Sequence, residues 1–324
     1  MDNIYFITGA QGCIGSWVVK TLVERGDLPV VFDRSEDARR LSAIMDRLLI
    51  GRVRFLIGDI TNSRVVAKAL ARSNARHVIH LAGLQVPTCK ADPIAGAMVN
   101  VIGTLNVFEA ARAQDLDRVV YASSAAVFGL GEDDAPLDES AACEPATHYG
   151  VFKRTNEGNA RVYYLDYGLS SVGLRPLTVY GPGRDAGLTS DPTKAMKAAV
   201  LGRSFHIRFG GTTDFQYVAD TAGAFIACAD RAPAGAHVFN LHGDAVEISE
   251  LIRVVDKQLP PEHRGLISFS GPSIPVASAL SDAAIRGTIE GLSHTPLERG
   301  VCQTIETFTG LRDRGALDTS DIDG

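Results

Sequence analysis

Short apolar segments alternate with longer amphipathic ones through the first half of the chain. The apolar segments, each bounded by turn residues, are 4–8, 29–32, 53–57, 77–82, 118–122 and 171–175. The segments with helical periodicity between them are 16–25, 36–49, 62–73, 91–113 and 147–167. Strands that alternate with helices of this length form right-handed βαβ units, which share one parallel sheet. The pattern therefore predicts an α/β fold with a doubly wound parallel sheet.

The pattern becomes less regular after Pro176. Glycine, proline and charged residues interrupt 181–213, whereas 214–241 has the pattern of strand, helix and strand and is expected to return to the sheet. Further helices are predicted at 247–258, 279–287 and 297–309. The predicted domains are a parallel-sheet domain of 1–176, rejoined by about 214–241, a smaller α/β region of 177–213 and 242–311, and a flexible tail of 312–324.

A glycine-rich turn connects the first strand to the first helix. It contains Gly9, Gly12 and Gly15. The first glycine of such a turn permits a tight bend, the second lets the backbone approach a pyrophosphate, and the third allows the helix to pack on the strand. Free N–H groups at the helix start, with the positive end of the helix dipole, bind phosphates. Such a turn also serves as a plain connector, but its place between strand and helix favours a dinucleotide site.

The second strand ends at Asp33, about 20 residues after the glycines, where an acidic residue accepts hydrogen bonds from the ribose hydroxyls and repels a 2′-phosphate. This position favours NAD over NADP. Arg34 follows directly and offers a charge that a phosphate could use. Asp33 could also serve only as a helix cap or turn residue, a role that Ser35 could fill equally well.

Tyr149 and Lys153 stand four residues apart on one predicted helix, so their side chains project from the same face. A lysine ammonium beside a phenol lowers the pKa of the phenol from its usual value of about 10. We therefore expect Tyr149 to act as a general acid and base near neutral pH. Ser124 follows the fifth strand, at the sheet edge where ligands bind, and is placed to hydrogen-bond a substrate oxygen.

These residues belong to a longer set of matching segments. The segments are Thr8-Gly-Ala-Gln-Gly-Cys-Ile-Gly15, Gly58-Asp-Ile60, His80-Leu-Ala-Gly83, Ala122-Ser-Ser-Ala-Ala-Val-Phe-Gly129, Tyr149-Gly-Val-Phe-Lys153, Arg175-Pro-Leu-Thr-Val-Tyr-Gly-Pro182 and Phe215-Gln-Tyr-Val-Ala-Asp220. In them the chain resembles an extended short-chain dehydrogenase/reductase of the NAD-dependent epimerase/dehydratase family. The resemblance extends over about residues 3–310.

The resemblance implies that 1–176 is an NAD-binding Rossmann domain and that the smaller C-terminal α/β region of 177–213 and 242–311 binds the substrate. It also implies a catalytic set of Ser124, Tyr149 and Lys153. With the glycine turn and Asp33, the residues expected to contact NAD are Gly9, Gln11, Gly12, Cys13, Ile14, Gly15, Asp33, Arg34, Asp59, Ile60, Leu81, Ala82, Gly83, Asn100, Tyr149, Lys153 and Pro176. The resemblance also implies a homodimer, formed by packing the helices 91–113 and 147–167 of two copies together.

The chain departs from the family after the catalytic serine. In sugar-nucleotide dehydratases of the family, the two residues after this position are typically Asp and Glu, which supply the acid and base for loss of water. Here they are Ala125 and Ala126. Because neither side chain can transfer a proton, a dehydratase of that type is not expected.

A second departure concerns the nucleotide of the substrate. Where similar epimerases hold their UDP with an Asn and two basic loops, this chain has Thr178, Thr213 and the segment 271–275, which has no basic residue. Diphosphates are normally bound by Arg in bidentate geometry. We therefore expect a small sugar-like substrate without a nucleotide. The candidate substrate contacts are Gln85, Ser124, Thr178 and Arg184.

These residues predict an NAD-dependent oxidoreductase that transfers a hydride at a secondary alcohol of a sugar, sugar acid or similar polyol. An epimerase that forms a transient ketone on a sugar or a nucleotide sugar uses the same catalytic residues and remains an alternative. A catalytically silent NAD-binding regulator is a more remote alternative, since such proteins commonly lose the Tyr or the Lys.

The composition of the chain further limits the classes of partner that we expect it to bind. The net charge of −6 offers no basis for binding nucleic acid or an anionic membrane. No uninterrupted apolar run approaches the roughly 20 residues of a membrane span, and the N-terminus lacks the pattern of a signal peptide. The five cysteines are scattered, without metal-ligand spacing. A reduced, cytoplasmic protein without disulfides or bound metal is therefore expected.

Overall fold

The computed structural model describes residues 3–129, 136–274 and 276–323. Its strands are β1 Ile4–Thr8, β2 Leu28–Asp33, β3 Arg54–Ile57, β4 His77–His80, β5 Arg118–Ala122, β6 Ser170–Arg175, β7 Thr178–Tyr180, β8 Phe205–Ile207, β9 Thr212–Tyr217, β10 Ala236–Asn240, β11 Asp244–Glu247 and β12 Ile267–Phe269. Seven of them form one parallel sheet in the order β10-β6-β5-β4-β1-β2-β3. This arrangement confirms the predicted α/β fold with a doubly wound parallel sheet.

Helices cover both faces of this sheet. They are α1 Cys13–Arg25, α2 Arg39–Ile44, α3 Arg47–Ile50, α4 Ser63–Ser73, α5 Val86–Ala91, α6 Pro93–Ala97, α7 Gly103–Ala113, α8 His148–Tyr167, α9 Asp191–Val200, α10 Val218–Arg231, α11 Ile248–Gln258, α12 Ala283–Thr288 and α13 Leu297–Asp313. Alternate residues of β1 enter different cores: Ile7 packs with Leu22 of α1 and Phe225 of α10, whereas Phe6 packs on the opposite face with Phe108 of α7. A strand buried on both faces reads as a continuous apolar run, which is the pattern seen in the sequence.

The segment expected to return to the sheet divides between two sheets. Helix α10 and strand β10 join the large sheet, but β9 pairs with β7 and β11 in a separate three-stranded sheet. The reason is the packing of its aromatic residues: Phe215 and Tyr217 lie in a second core with Tyr180, Met196 and Val301. The expectation that strand 214–218 returns to the large sheet is therefore wrong.

Two predicted helices are interrupted in the structure. The segment 36–49 forms the short helices α2 and α3, because Asp46 caps α3 by accepting a hydrogen bond from the Leu48 N–H at 2.7 Å. The segment 91–113 contains α6, a π-helical turn at Met98–Ile102 and α7. The separate helix α5 precedes them. The π turn matters for the site because Asn100 lies within it.

The helix Pro93–Ala113 is long and apolar enough to cross a membrane by length and composition alone. It contains no uninterrupted apolar run, because polar residues, among them Asn100 and Thr104, interrupt the apolar ones. Val107 and Phe108 are fully buried against the sheet, as in the core helix of a globular protein.

The segment after α13, expected to be a flexible tail, folds back onto α9. The Lys197 ammonium lies 2.6 Å from Asp321 and donates to the Asp318 carbonyl at 3.0 Å. Arg203 forms a further ion pair with Asp323. These contacts attach the tail to the second core, contrary to that expectation.

Candidate active site

A cavity of about 410 Å³ lies at the carboxyl ends of the central strands of the large sheet, where it meets the smaller sheet. The predicted site residues that line it are Gly9, Gly12, Cys13, Ile14, Gly15, Asp33, Arg34, Asp59, Ile60, Leu81, Ala82, Gly83, Gln85, Ser124, Tyr149, Lys153, Pro176 and Arg184. Three predicted residues, Gln11, Asn100 and Thr178, do not line it. The carboxyl edge of a parallel sheet is where such folds bind ligands.

The glycine turn forms one wall of the cavity and leaves no room for side chains. Gly9 has a φ of +66°, and a Cβ there would lie 2.5 Å from the backbone nitrogen of Ala82. A Cβ on Gly15 would lie 2.5 Å from the Gly9 carbonyl oxygen. Helix α1 begins immediately afterwards without a side-chain cap, so its first N–H groups face the cavity. This close backbone wall at a helix start fits the pyrophosphate of NAD.

Asp33 ends β2 at the same edge. Its carboxylate accepts hydrogen bonds from the backbone N–H of Gln11 at 3.2 Å and of Arg34 at 2.8 Å, which fixes it beside the glycine turn. The Gln11 side chain donates to the Ser35 carbonyl, and Gln11 does not line the cavity. Its predicted contact with NAD stays a prediction.

Asp59 stands at the end of β3, on the same side of the cavity. Hydrogen bonds from Thr61 hold the pKa of the Asp59 carboxyl below its usual range, so it is ionised at neutral pH. Asp33 and Asp59 are the acidic side chains in the described lining, and both lie at this end. The cavity is therefore acidic at the β2–β3 end.

Ser124 and Tyr149 meet at the other end of the cavity. The Ser124 hydroxyl lies beside the Tyr149 phenol and favours the ionised form of Tyr149. The contact depends on Gly150, where a Cβ would lie 2.3 Å from the Ala126 carbonyl oxygen. Helix α8 thus packs directly on the turn that follows Ser124. Sequence reasoning missed Gly150, although it stands inside the Tyr149–Lys153 motif.

Lys153 lies one helical turn from Tyr149, as the four-residue spacing predicts. Its ammonium donates to the Ala122 carbonyl at 2.7 Å and lies 5.4 Å from the centroid of the Tyr149 ring. Burial lowers the pKa of Lys153 to about 8. Near neutral pH this lysine is mostly charged, and it becomes neutral a little above.

The pKa of Tyr149 is raised rather than lowered. Burial raises it most, while the hydrogen bond from Ser124 and the charge of Arg184 act in the opposite direction. The pKa of Tyr149 therefore changes in the direction opposite to the expected lowering by Lys153. The physical reason is that the site removes the phenol from water, which disfavours the phenolate.

Asn100 supports the site from behind and does not line the cavity. Its side chain makes two hydrogen bonds with the backbone of Leu84, accepting from the N–H at 2.8 Å and donating to the carbonyl at 3.0 Å. A Cβ on Gly83 would lie 2.9 Å from Asn100 Oδ1. Asn100 thus holds the turn after β4, and its predicted contact with NAD stays a prediction.

Thr178 is fully buried in β7, and its hydroxyl lies 2.7 Å from the hydroxyl of Thr213 in β9. The two threonines satisfy each other within the three-stranded sheet. The prediction that Thr178 contacts substrate is therefore wrong, because its side chain faces the neighbouring strand.

The substrate end of the cavity is closed by the loop between β7 and α9 and by the segment around Ile274. This wall contains Leu177, Val179, Arg184, Leu188, Thr189, Ile274 and Val276. Arg184 Nη2 donates to Thr189 Oγ1 at 2.9 Å. Sequence reasoning missed Leu188, Ile274 and Val276, because isolated apolar residues in loops carry no motif.

The same loop is attached to the glycine turn. Arg40 makes a bidentate ion pair with Asp185, at 2.6 and 2.8 Å, and also donates to the Gln11 carbonyl at 2.7 Å. Trp17 Nε1 of α1 donates to the Pro182 carbonyl at 2.8 Å. The wall opposite Tyr149 and the cofactor turn are therefore connected directly.

A parallel sheet with a tight glycine turn at its centre, facing a Ser–Tyr–Lys set, defines an NAD-dependent enzyme of the extended short-chain dehydrogenase/reductase class. Residues 5–241 match the family described as NAD dependent epimerase/dehydratase family. The chain belongs to this family, as its motifs predict.

Relatives give the same assignment. The chain is 30% identical over 282 residues to UDP-glucuronate 4-epimerase 4 of Arabidopsis thaliana, covering 78% of this chain and 63%, less than two thirds, of that relative. It is 29% identical over 279 residues to UDP-glucose 4-epimerase of Rhizobium meliloti (strain 1021), covering 79% and 82% of the two chains. The structure of MoeE5 in complex with UDP-glucose and NAD superposes with a TM-score of 0.79 at 26% identity, covering 98% of this chain and 100% of that one.

Proposed function

We propose that the protein is an NAD-dependent epimerase that inverts a secondary alcohol of a sugar-like substrate through a transient ketone. The observation that carries this proposal is the convergence of Ser124, Tyr149 and Lys153 at the closed end of the cavity behind the glycine turn. The epimerase activity of the named relatives supports inversion over net oxidation.

In this reaction the chain supplies proton transfer and orientation. In its ionised form, which Ser124 and the charge of Arg184 favour, Tyr149 takes the hydroxyl proton as the carbon–oxygen double bond forms, and the Ser124 hydroxyl hydrogen-bonds the same substrate oxygen. Lys153 donates to the Ala122 carbonyl and keeps a positive charge beside Tyr149. NAD, held by the glycine turn and Asp33, would supply the hydride acceptor for the alcohol carbon and the hydride donor for the other face of the ketone. The proton then returns from Tyr149, so no net oxidation remains.

We also propose that the substrate carries no nucleotide. Thr178 and Thr213 are occupied with each other, and Arg184 is the single cationic side chain in the described part of the substrate wall. A diphosphate would normally require several cationic or backbone N–H donors. A sugar or sugar acid fits such a wall better than a nucleotide sugar.

The same observation favours a second candidate, a dehydrogenase. An epimerase must retain its ketone while the ring turns, and a nucleotide outside the reacting ring is one means of holding it. A ketone without that anchor is more readily released, which leaves reduced cofactor behind. Net oxidation of a free sugar or sugar acid is therefore the competing outcome.

Both candidates are tested by incubating the pure protein with NAD and a panel of free sugars, sugar acids and UDP-sugars. An epimerase forms the epimer, seen by NMR, without net absorbance at 340 nm, and in D₂O the inverted carbon keeps its own hydrogen. A rise at 340 nm supports the dehydrogenase. Turnover of UDP-sugars alone would contradict a nucleotide-free substrate, and no turnover of any secondary alcohol would contradict both.

We further propose that the protein is a cytoplasmic homodimer. Ile94, Met98 and Ile102 are exposed on the helix 93–113, and Val151 and Leu165 are exposed on α8. Two such surfaces would cover each other in a four-helix contact. Light scattering of the pure protein measures the mass, and a monomer at micromolar concentration would contradict the dimer.

A further inference from the structure

We infer that Arg184, with Gln85 and Thr189, forms a carboxylate-binding site, so that the substrate is a sugar acid. This inference rests on the proposed function and makes its substrate class more specific. Arg184 lines the cavity opposite Tyr149, on the loop between β7 and α9. The site is therefore placed to hold one end of a molecule whose hydroxyl meets Tyr149.

The three side chains converge around Gly187. A Cβ on this glycine would lie 2.0 Å from Gln85 Oε1 and 3.3 Å from Arg184 Nη2. Gly187 has a φ of +102°, a conformation that favours glycine. The loop thus bends so that Gln85, Thr189 and Arg184 share one corner of the cavity. Hydroxyl, amide and guanidinium groups together are a common set for binding a carboxylate.

The Arg184 guanidinium has unused hydrogen-bonding capacity. Its Nε is buried and has no hydrogen-bond partner among the described residues, while Nη2 has Thr189. A buried donor without an acceptor costs free energy unless a ligand supplies one. The planar guanidinium presents Nε and Nη groups in the fork that a carboxylate matches.

The charge around Arg184 is also unbalanced. It makes no ion pair with the described carboxylates, since the adjacent Asp185 pairs with Arg40. The acidic lining residues, Asp33 and Asp59, lie at the opposite end of the cavity, where β2 and β3 end. Lys153 adds a second positive charge at the Tyr149 end. An anionic substrate would balance this end of the site.

The pyrophosphate of the cofactor is the other anion that Arg184 could serve, because the loop passes over α1. A Cβ on Gly183 would lie 3.9 Å from Cys13 Cα. The glycine turn, however, already offers backbone N–H groups for a pyrophosphate. The charge of Arg184 also acts on Tyr149, and its neighbours Gln85 and Thr189 line the same cavity. We therefore assign Arg184 to the substrate and let the experiment separate the two anions.

The experiment compares wild type with Arg184→Gln, Arg184→Lys and the control Arg39→Gln. Arg39 is exposed and pairs with Asp37. Calorimetry measures binding of NAD, and then binding of matched pairs to the NAD-loaded protein: galacturonate and galactose, glucuronate and glucose, gluconate and glucitol. Turnover of the same pairs is followed at 340 nm and by NMR.

We expect wild type to prefer at least one acid over its neutral partner. Arg184→Gln should weaken the binding of that acid by about 30- to 1000-fold, the range for removing one partner of a buried charge pair. Its effect on the neutral partner and on NAD should stay within about threefold, as for Arg39→Gln. Arg184→Lys keeps the charge but loses the fork, so it should recover only part of the affinity.

Each contrary result has a distinct meaning. If no acid is preferred, or if Arg184→Gln weakens the binding of the acid and of its neutral partner equally, the carboxylate site is wrong while the proposed reaction stands. If Arg184→Gln weakens the binding of NAD instead, Arg184 binds the pyrophosphate and the inference is overturned. If acids bind through Arg184 but none is oxidised or inverted, the carboxylate site stands and the proposed function fails.

Discussion

The cofactor wall and the substrate wall of one cavity are built by different means. The cofactor wall is backbone: the glycine turn leaves no space for a Cβ at Gly9 or Gly15 and presents the start of α1. The substrate wall is made of side chains on loops, among them Arg184, Leu188 and Ile274. Backbone geometry restricts which residues are allowed, whereas loop side chains are free to vary. This difference explains why the cofactor could be predicted and the substrate could not.

The largest effect is expected where the two walls meet. Tyr149→Phe removes the group that accepts the substrate proton, so kcat should fall by about 10²- to 10⁴-fold. NAD affinity should change little, since the ring remains. Activity assays and calorimetry measure the two quantities. Tyr164→Phe, on the same helix and largely outside the core, is the control and should keep full activity. Full catalytic activity in Tyr149→Phe would contradict the role of Tyr149 as the proton acceptor.

The cofactor wall is tested by Gly9→Ala against Gly168→Ala. Both glycines have a similar positive φ, +66° and +71°, but a Cβ on Gly168 meets nothing within 4 Å. Gly168→Ala should lower the free energy of unfolding by roughly 1–2 kcal/mol from backbone strain alone. Gly9→Ala adds the collision with Ala82, so it should lower stability further and abolish NAD binding. Chemical denaturation and calorimetry give both values, and equal effects of the two variants would contradict a close-packed wall.

The threonine pair in the smaller sheet is expected to be structural. Thr178→Val leaves the Thr213 hydroxyl without its partner, which should cost about 1–3 kcal/mol of stability. The double variant Thr178→Val, Thr213→Val removes both hydroxyls and should recover part of that loss. The KM of the folded protein should stay within about threefold of wild type. A large change in KM without loss of stability would show instead that Thr178 contacts the substrate.

The smallest effect is expected at the connection between the walls. Arg40 and Asp185 are partly exposed, so Arg40→Gln should change the free energy of unfolding by no more than about 1 kcal/mol. Because Arg40 also holds the Gln11 carbonyl, we expect NAD and substrate affinities to fall together by a few fold. Arg39→Gln is again the control. A change in only one of the two affinities would contradict the connection.

The sequence predicted what depends on local pattern. Alternating apolar and amphipathic segments identified the large sheet, and the spacing of Tyr149 and Lys153 placed both on one face of α8. It could not show that β9 pairs with β7 and β11, because Phe215 and Tyr217 suit either sheet and only the packing partners decide. The raised pKa of Tyr149 could not be predicted from the sequence either, because the burial that raises it depends on the complete fold.

Site residues followed the same division. Residues of the glycine turn, and Tyr149 and Lys153 with their helical spacing, line the cavity as predicted. Of the residues predicted from their position after a strand or in a loop, some line it and others do not. Arg184 faces the cavity, whereas Thr178 faces another strand. Asn100 shows a third case: its importance was recognised, but its partner is the Leu84 backbone, which no spacing rule indicates.

Trp17 is the single tryptophan of the chain, and its indole N–H donates to the Pro182 carbonyl at the base of the substrate loop. The protein therefore carries an intrinsic fluorescent reporter at that point. Any displacement of the loop changes the polarity around one indole, and no other tryptophan contributes background emission. Stopped-flow emission would resolve the order in which cofactor and substrate bind, without labels.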